Sequence, residues 1–225
     1  EGNMEKQAKY RLLSRVMLGI YLGTAGVCCV YYGLKWDAYH FSIGLLSVVI
    51  PPLWVLLFRI LKLKHTGPVD FMALLFLYLA YPLGSVVDLY AAIYGFDKFV
   101  HTLSGVFVST LCLALFLALK PDHEIRRKEC ALAAAFVFFG SMAVAGLWEI
   151  CEYGVHALTG RDVQHVLDTG VSDTMQDMIV CMIGTLFYVG CVIRRYRGKP
   201  NALTDAAESF VEANRPFLHN LFIRG

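Results

Sequence analysis

The chain has 225 residues, of which 57% are hydrophobic, and its mean hydropathy is +0.57. This composition excludes an ordinary soluble domain, because such domains are about 45–50% apolar. The formal net charge of +2 is too small to indicate a class of partner, and we expect no nucleic-acid partner.

Apolar runs of the length that crosses a bilayer recur along the chain. A transmembrane helix needs about 17–25 predominantly apolar residues. Runs of about this length cover residues 16–34, 41–60, 69–87, 99–119, 130–150 and 178–193. We therefore predict an all-α fold, a polytopic membrane helical bundle with about six transmembrane helices.

The basic residues predict how the helices are oriented. Of the 20 lysine and arginine residues, all but Lys35, Lys98 and Arg161 flank the same ends of these runs. Cytoplasmic loops carry an excess of Lys and Arg, so both termini are predicted to be cytoplasmic. The predicted organisation is a cytoplasmic segment over 1–15, a six-helix transmembrane domain with an outer-face polar site over 16–197, and a cytoplasmic tail over 198–225. The apolar spacing of the tail predicts an amphipathic helix on the inner leaflet, with partner binding as the alternative.

The fourth run begins with a polar pair on the predicted outer face. Asp97 and His101 are four residues apart, so on a helix they share one face and can bind one ion or each other. Asp97 is also a natural N-cap of this helix, because Asp is favoured at that position. His101 already lies inside the apolar run and is harder to explain as surface.

The C-terminal end of the fifth run, where the helix dipole disfavours carboxylates, is close to Glu149, Glu152 and His156. Their spacing puts all three within about 60° of one helix face. Capping does not explain two glutamates there, so they need protons, a cationic partner such as Lys98 or Arg161, or a metal. A metal is favoured because carboxylates and imidazoles are common ligands, and a salt-bridge or proton-sharing network is the alternative.

The sixth run is preceded by Asp173 and Asp177, which repeat the four-residue spacing. Both also fit capping boxes at the start of the helix. Instead of a functional role, these carboxylates could accept hydrogen bonds from the free backbone amides of the first turn. The preceding loop, residues 157–171, is long enough to fold over a site as a lid, and a solvated loop is equally compatible with its sequence.

Three ordered motifs resemble the YjdF-type family of bacterial six-span inner-membrane proteins. The motifs are Asp97-Lys98-x-x-His101 with Gly105, Trp148-Glu149-x-x-Glu152, and Asp173-Thr174-x-x-Asp177-Met178. The first is also distantly similar to an Asp-Lys-x-x-His element of VanZ-like membrane proteins. The resemblance implies a multi-pass protein of the bacterial inner membrane with a polar constellation, and it supplies no settled activity.

These residues predict a divalent metal site (Zn, Mn, Fe or Mg) on the outer face. The predicted metal ligands are His101, Glu149, Glu152 and Asp177. The predicted general bases, or partners of those ligands, are Asp97, His156 and Asp173. A bound metal would activate water, so we expect a metal-dependent hydrolase or transferase. The bilayer edge favours contact with membrane lipid and a lipid or lipid-linked substrate.

Two other classes of function use the same residues. A divalent-cation-binding transporter would use the acids as an entry site, and a non-catalytic structural or regulatory membrane protein would use them as a rigid polar cluster. An ion path needs polar groups through the membrane, and below the outer third the runs contain mainly serine and threonine.

Overall fold

The computed structural model describes residues 2–160, 162 and 166–222, and its regular structure is helical. In chain order the helices are α1 (Gly2–Leu34), α2 (Ala38–Ile60), α3 (Gly67–Tyr78), a π-helical segment (Leu79–Val86), α4 (Leu89–Ala92), α5 (Phe96–Leu119), a 3-10 turn (Arg127–Glu129), α6 (Cys130–Thr159), α7 (Val166–Thr169), α8 (Ser172–Tyr196) and α9 (Ala202–Phe222).

Within the described part of the chain, six helices are long and apolar enough to cross a membrane. They are Gln7–Leu34, Ala38–Ile60, Gly67–Val86, Phe96–Leu119, Arg127–Thr159 and Ser172–Tyr196. The predicted all-helical class and the six spans are therefore confirmed.

Three helix ends differ from the predicted boundaries in a way that matters for the site. The fourth span starts at Phe96, the fifth continues to Thr159 and the sixth starts at Ser172. The apolar runs end earlier than the helices, because backbone hydrogen bonding continues where the side chains become polar. The residues predicted for the polar site consequently lie on helices: Asp97, His101, Glu149, Glu152, His156, Asp173 and Asp177.

The chain divides into two compact units, residues 1–96 with 209–225 and residues 97–208. In the first unit α1 packs against α2 and α3. Asp37 begins α2, where its Oδ1 accepts the backbone N–H of His40 at 3.1 Å and its Oδ2 lies 2.7 Å from His40 Nδ1. These hydrogen bonds lower the pKa of Asp37 below its ordinary value. The aspartate therefore acts as an N-cap.

The third span changes from α- to π-helix at Leu79, around Pro82. Proline has no N–H to donate and its ring crowds the preceding turn, so a local change of helix type at this position has a clear cause.

The second unit contains α5, α6 and α8, and α5 crosses α8 at two glycines. A Cβ placed on Gly105 would meet the carbonyl oxygen of Cys181, and one on Gly184 would meet the carbonyl oxygen of Thr102. Only glycine permits such close backbone approach, as is common where membrane helices pack. The crossing fixes the first turns of α5 next to those of α8.

The predicted tail is helical over Ala202–Phe222. Within the second unit its first turns are tied to α8, since Glu208 accepts hydrogen bonds from the guanidinium of Arg195 and from Tyr196 Oη. In the first unit the Asn214 side chain accepts the Lys64 N–H at 2.5 Å and donates to the Lys64 carbonyl at 3.1 Å. The helix is thus held by polar contacts as well as by its apolar residues.

Candidate metal centre

Lys98 lies among three aspartates in the second unit. Its Nζ is 2.5 Å from Asp173 Oδ1, 2.8 and 3.0 Å from the two oxygens of Asp177, and 3.2 Å from Asp97 Oδ2. The three carboxylates come from two helices, so the ammonium links α5 to α8. Charge-assisted hydrogen bonds of this kind are roughly twice as strong as neutral ones.

Next to this lysine, three side chains direct metal-binding atoms toward one point. The Nε2 of His101 lies 3.4 Å from Asp97 Oδ1 and 3.8 Å from Asp177 Oδ1. One ligand atom from each of the three residues lies within 4.8 Å of the other two. The Asp97, His101 and Asp177 side chains, called the triad below, form the group in the described residues that could hold a metal ion.

The donor set of the triad fits a first-row divalent ion. Carboxylate and imidazole suit Zn, Mn and Fe, and carboxylate alone suits Mg. Donor atoms around a tetrahedral ion with bonds of about 2.1 Å stand about 3.4 Å apart. The two separations from His101, 3.4 and 3.8 Å, are close to that value, and the ligand atoms of the two aspartates lie within 4.8 Å of each other.

The spacing seen in the sequence explains how the triad forms. Asp97 and His101 share one face of α5, one turn apart, and Asp173 and Asp177 share one face of α8. The glycine crossing of α5 and α8 then brings the two faces together. The four-residue spacing is local, whereas the meeting of the two faces depends on packing.

Capping is not the role that the structure assigns to the aspartates. The N-cap of α8 is Val171, which makes no side-chain cap, and Asp173 bonds Lys98 of the neighbouring helix. Asp177 is one turn further into α8, with a side chain that is only 4% exposed. Asp97 lies inside the first turn of α5 and faces Lys98 and His101.

The burial of Asp177 explains why the lysine is present. An ionised carboxylate removed from water is expensive unless it is paired and hydrogen-bonded. Asp177 obtains both from Lys98, through each of its oxygens. When ionised, the three aspartates carry three negative charges and Lys98 carries one positive charge. Two of the negative charges are therefore not balanced by the lysine.

The two glutamates of α6 lie beside the triad rather than in it. Glu149 is buried, and Glu152 accepts a hydrogen bond of 2.7 Å from Trp148 Nε1. Glu152 interacts electrostatically with Glu149, His101 and Asp97. Among the described residues, neither glutamate belongs to the group whose ligand atoms converge.

His156 is directed to the loop that follows α6. Its Nδ1 lies 3.5 Å from Asp162 Oδ1, and Asp162 Oδ2 accepts the backbone N–H of Leu167 at 2.8 Å. The histidine therefore contacts the loop predicted as a lid. Arg161 and His165, two other polar residues of that loop, lie outside the described residues.

The residue that the sequence analysis underestimated is Lys98. The sequence predicts it as a possible cationic partner of the glutamates and as part of the Asp-Lys-x-x-His motif, whereas the structure places it among three aspartates. A signal was available: Lys98 is a cation on the predicted outer face, adjacent in sequence to Asp97, and no apolar pattern requires it there.

A row of small polar side chains continues from Asp177 along α8. Cys181 accepts a hydrogen bond from Ser104 at 3.8 Å, and Thr185 Oγ1 lies 2.8 Å from Ser141 Oγ. Ser141 and Thr185 are fully buried. This row, Cys181, Thr185, Ser104 and Ser141, joins all three helices below the triad.

Comparison with known proteins adds a family. The model of a family described as "Predicted membrane protein (DUF2238)" matches residues 14–198, which is most of the chain and includes every residue of the candidate site. No curated protein and no solved structure matches the chain.

Proposed function

We propose that this chain, which belongs to the DUF2238 family of predicted membrane proteins, is a metal-dependent membrane hydrolase or transferase. The observation that carries the proposal is the convergence of Asp97, His101 and Asp177 within 4.8 Å. Three protein ligands leave coordination positions for water and substrate, as in catalytic rather than structural metal sites.

The metal would supply Lewis acidity and an activated water at neutral pH. The residues of this chain would hold it, orient the reactants and accept the proton. The triad provides the ligands, which revises the predicted set by moving Asp97 into it and Glu149 and Glu152 beside it. Glu152 would serve as the general base, because it lies on a third helix and its carboxyl is within electrostatic reach of His101 and Asp97.

The proposed substrate is a lipid or lipid-linked molecule. The site lies in the first turns of α5 and α8 and near the end of α6, all within candidate membrane spans. The sidedness of basic residues puts these helix ends at the outer face of the membrane. A substrate anchored in the outer leaflet reaches such a site by lateral diffusion.

We further propose that the membrane is the bacterial inner membrane. The likeness of the three motifs to the YjdF-type family supports this location, and the more distant likeness to VanZ-like proteins is compatible with a role in the cell envelope. Both likenesses rest on motifs that include residues of the triad.

A second candidate function, a divalent-cation transporter, is favoured by one observation. The row of Cys181, Thr185, Ser104 and Ser141 extends polar groups from the triad into the interior of the unit. Hydroxyl and thiol groups can also serve as helix–helix hydrogen bonds, which are common in membrane bundles.

Metal content tests the proposal. The full chain, purified in detergent, would be loaded separately with Zn²⁺, Mn²⁺, Fe²⁺ and Mg²⁺ and measured by elemental analysis. We expect about one ion per chain, lost in His101→Ala. Asp37→Asn is the matched control, because it removes an aspartate that contacts a histidine at 2.7 Å elsewhere in the chain. Well-folded protein without metal under all four conditions contradicts the metal site.

A flux assay separates the two functions. Protein reconstituted into liposomes would be tested for Mn²⁺ uptake. A metalloenzyme binds the ion without uptake, whereas saturable uptake that is lost in His101→Ala supports the transporter and contradicts the enzyme.

A further inference from the structure

Asp177 accepts the lysine with the same atom that would bind a metal. Its Oδ1 lies 3.8 Å from His101 Nε2 and 2.8 Å from Lys98 Nζ, and its Oδ2 lies 3.0 Å from the same nitrogen. Both oxygens of this carboxylate are therefore engaged by the ammonium. A divalent ion at the triad would have to share Asp177 with a neighbouring positive charge.

Two positive charges bound to the same carboxylate repel strongly where water is scarce. The side chain of Asp177 is nearly fully buried and that of Lys98 is three-quarters buried, so solvent screens the repulsion little. Lysine, however, carries its charge on a flexible stem of four carbons with three rotatable donors. The ammonium can therefore turn away from Asp177 if another acceptor is within reach.

Asp173 is that acceptor. It makes the shortest contact of the lysine, 2.5 Å, and it lies one turn before Asp177 on the same face of α8. Asp173 does not belong to the group whose ligand atoms converge in the described residues. Its position suits a carboxylate that holds the lysine rather than the metal.

We propose that Lys98 competes with the divalent cation for Asp177, and that Asp173 retains the ammonium when the cation is bound. The inference rests on the proposed metal site and adds its regulation. A cation bound in the triad would displace Lys98 from Asp177, and Lys98 on Asp177 would weaken the binding of the cation. This competition also favours divalent over monovalent cations, because a monovalent ion offers Asp177 no more charge than the ammonium that it displaces.

Mn²⁺ binding to the purified full chain in nanodiscs, followed by the electron paramagnetic resonance of free Mn²⁺, tests the competition. Lys98→Met removes the competing charge at similar side-chain length, so we expect Mn²⁺ to bind roughly 5- to 150-fold more tightly, the usual range of coupling between sites. Lys98→Arg keeps the positive charge next to Asp177, so it should bind Mn²⁺ more weakly than Lys98→Met. Mn²⁺ that binds the wild type but binds Lys98→Met equally or more weakly overturns the competition and leaves the metal site intact.

The role of Asp173 is tested by a double-mutant cycle. Asp173→Asn should weaken Mn²⁺ binding in the presence of Lys98, because the ammonium then remains on Asp177. Its effect should be several-fold smaller in the Lys98→Met background, where only the general loss of negative charge remains. Asp173→Glu should restore most of the affinity. Equal effects of Asp173→Asn in both backgrounds show that Asp173 acts independently of the lysine and overturn the proposal.

Folding of the variants is checked by thermal unfolding. Lys98→Met leaves three acids without their cation and should unfold at lower temperature without metal, with Mn²⁺ restoring more stability than it adds to the wild type. Should Lys98→Met be recovered only with Mn²⁺ present, Asp173→Asn and Asp173→Glu carry the test alone, and an unchanged affinity in Asp173→Asn overturns the proposal. No Mn²⁺ binding in any folded variant contradicts the metal site itself.

Discussion

The ammonium of Lys98 on α5 lies 2.8 and 3.0 Å from the two carboxylate oxygens of Asp177 on α8. This pair joins two membrane-spanning helices at a buried point, and it lies beside the atoms that could hold a metal. Stability and metal binding consequently depend on the same carboxylate.

Replacing Asp177 with Asn should impair both properties. The variant removes the negative charge of a triad ligand and one of the two oxygens that accept from Lys98, so we expect loss of bound metal and a fall of about 2 kcal/mol in the free energy of unfolding. Elemental analysis and thermal unfolding in detergent measure the two effects. Asp168→Asn, which changes an exposed acid on α7, should leave both unchanged. Full metal content in Asp177→Asn would remove this residue from the ligand set.

The close crossing of α5 and α8 should not tolerate a methyl group at Gly184. A Cβ there would meet the backbone carbonyl of Thr102, which cannot turn aside like a side chain. We expect Gly184→Ala to lower the free energy of unfolding by about 1–3 kcal/mol and to weaken metal binding, because the faces that carry the triad move apart.

Gly190→Ala is the matched control for the crossing. It lies on the same helix with nothing within 4 Å of its Cβ position, so alanine should be neutral or stabilise by up to about 1 kcal/mol through helix propensity. Similar thermal unfolding of the two variants would show that the crossing is less tight than described.

His156 should not be needed for metal binding. Its imidazole contacts Asp162 in the following loop, and among the described residues His156 is not in the group whose ligand atoms converge. His156→Ala is therefore expected to retain the metal content of the wild type, whereas His101→Ala loses it. Elemental analysis of the two variants in parallel gives the comparison, and loss of metal from His156→Ala would return this residue to the ligand set.

The hydrogen bond between Ser141 and Thr185 should contribute to stability without affecting metal content. Its length is 2.8 Å and both residues are fully buried. Ser141→Ala and Thr185→Val are each expected to cost about 1 kcal/mol. The double variant should cost less than the sum, because either change removes the same bond.

The same two variants also help to distinguish the functions. If the row of polar side chains conducts ions, the variants should reduce Mn²⁺ uptake into liposomes at full metal content. The metalloenzyme proposal expects no uptake in the wild type, and therefore nothing to reduce.

The local part of the site follows from the sequence. Helical spacing places Asp97 with His101 and Asp173 with Asp177, and no tertiary information is needed to see it. The same reasoning grouped Glu149, Glu152 and His156 on one face of α6, but a shared face does not determine a shared partner. Glu152 accepts a hydrogen bond from Trp148 one turn earlier on the same helix, whereas His156 contacts Asp162 of the following loop.

The sequence by itself determined the helical class and the six spans, because bilayer thickness sets the length of an apolar run. The sidedness stays a prediction from the basic residues. The sequence did not determine which helices are neighbours, since apolar side chains face lipid and protein alike and carry little information on packing. The tertiary structure decided that question at Gly105 and Gly184, where the absence of side chains lets α5 and α8 meet. That crossing is the physical reason why Lys98 lies among three aspartates and why the triad draws its ligands from two helices.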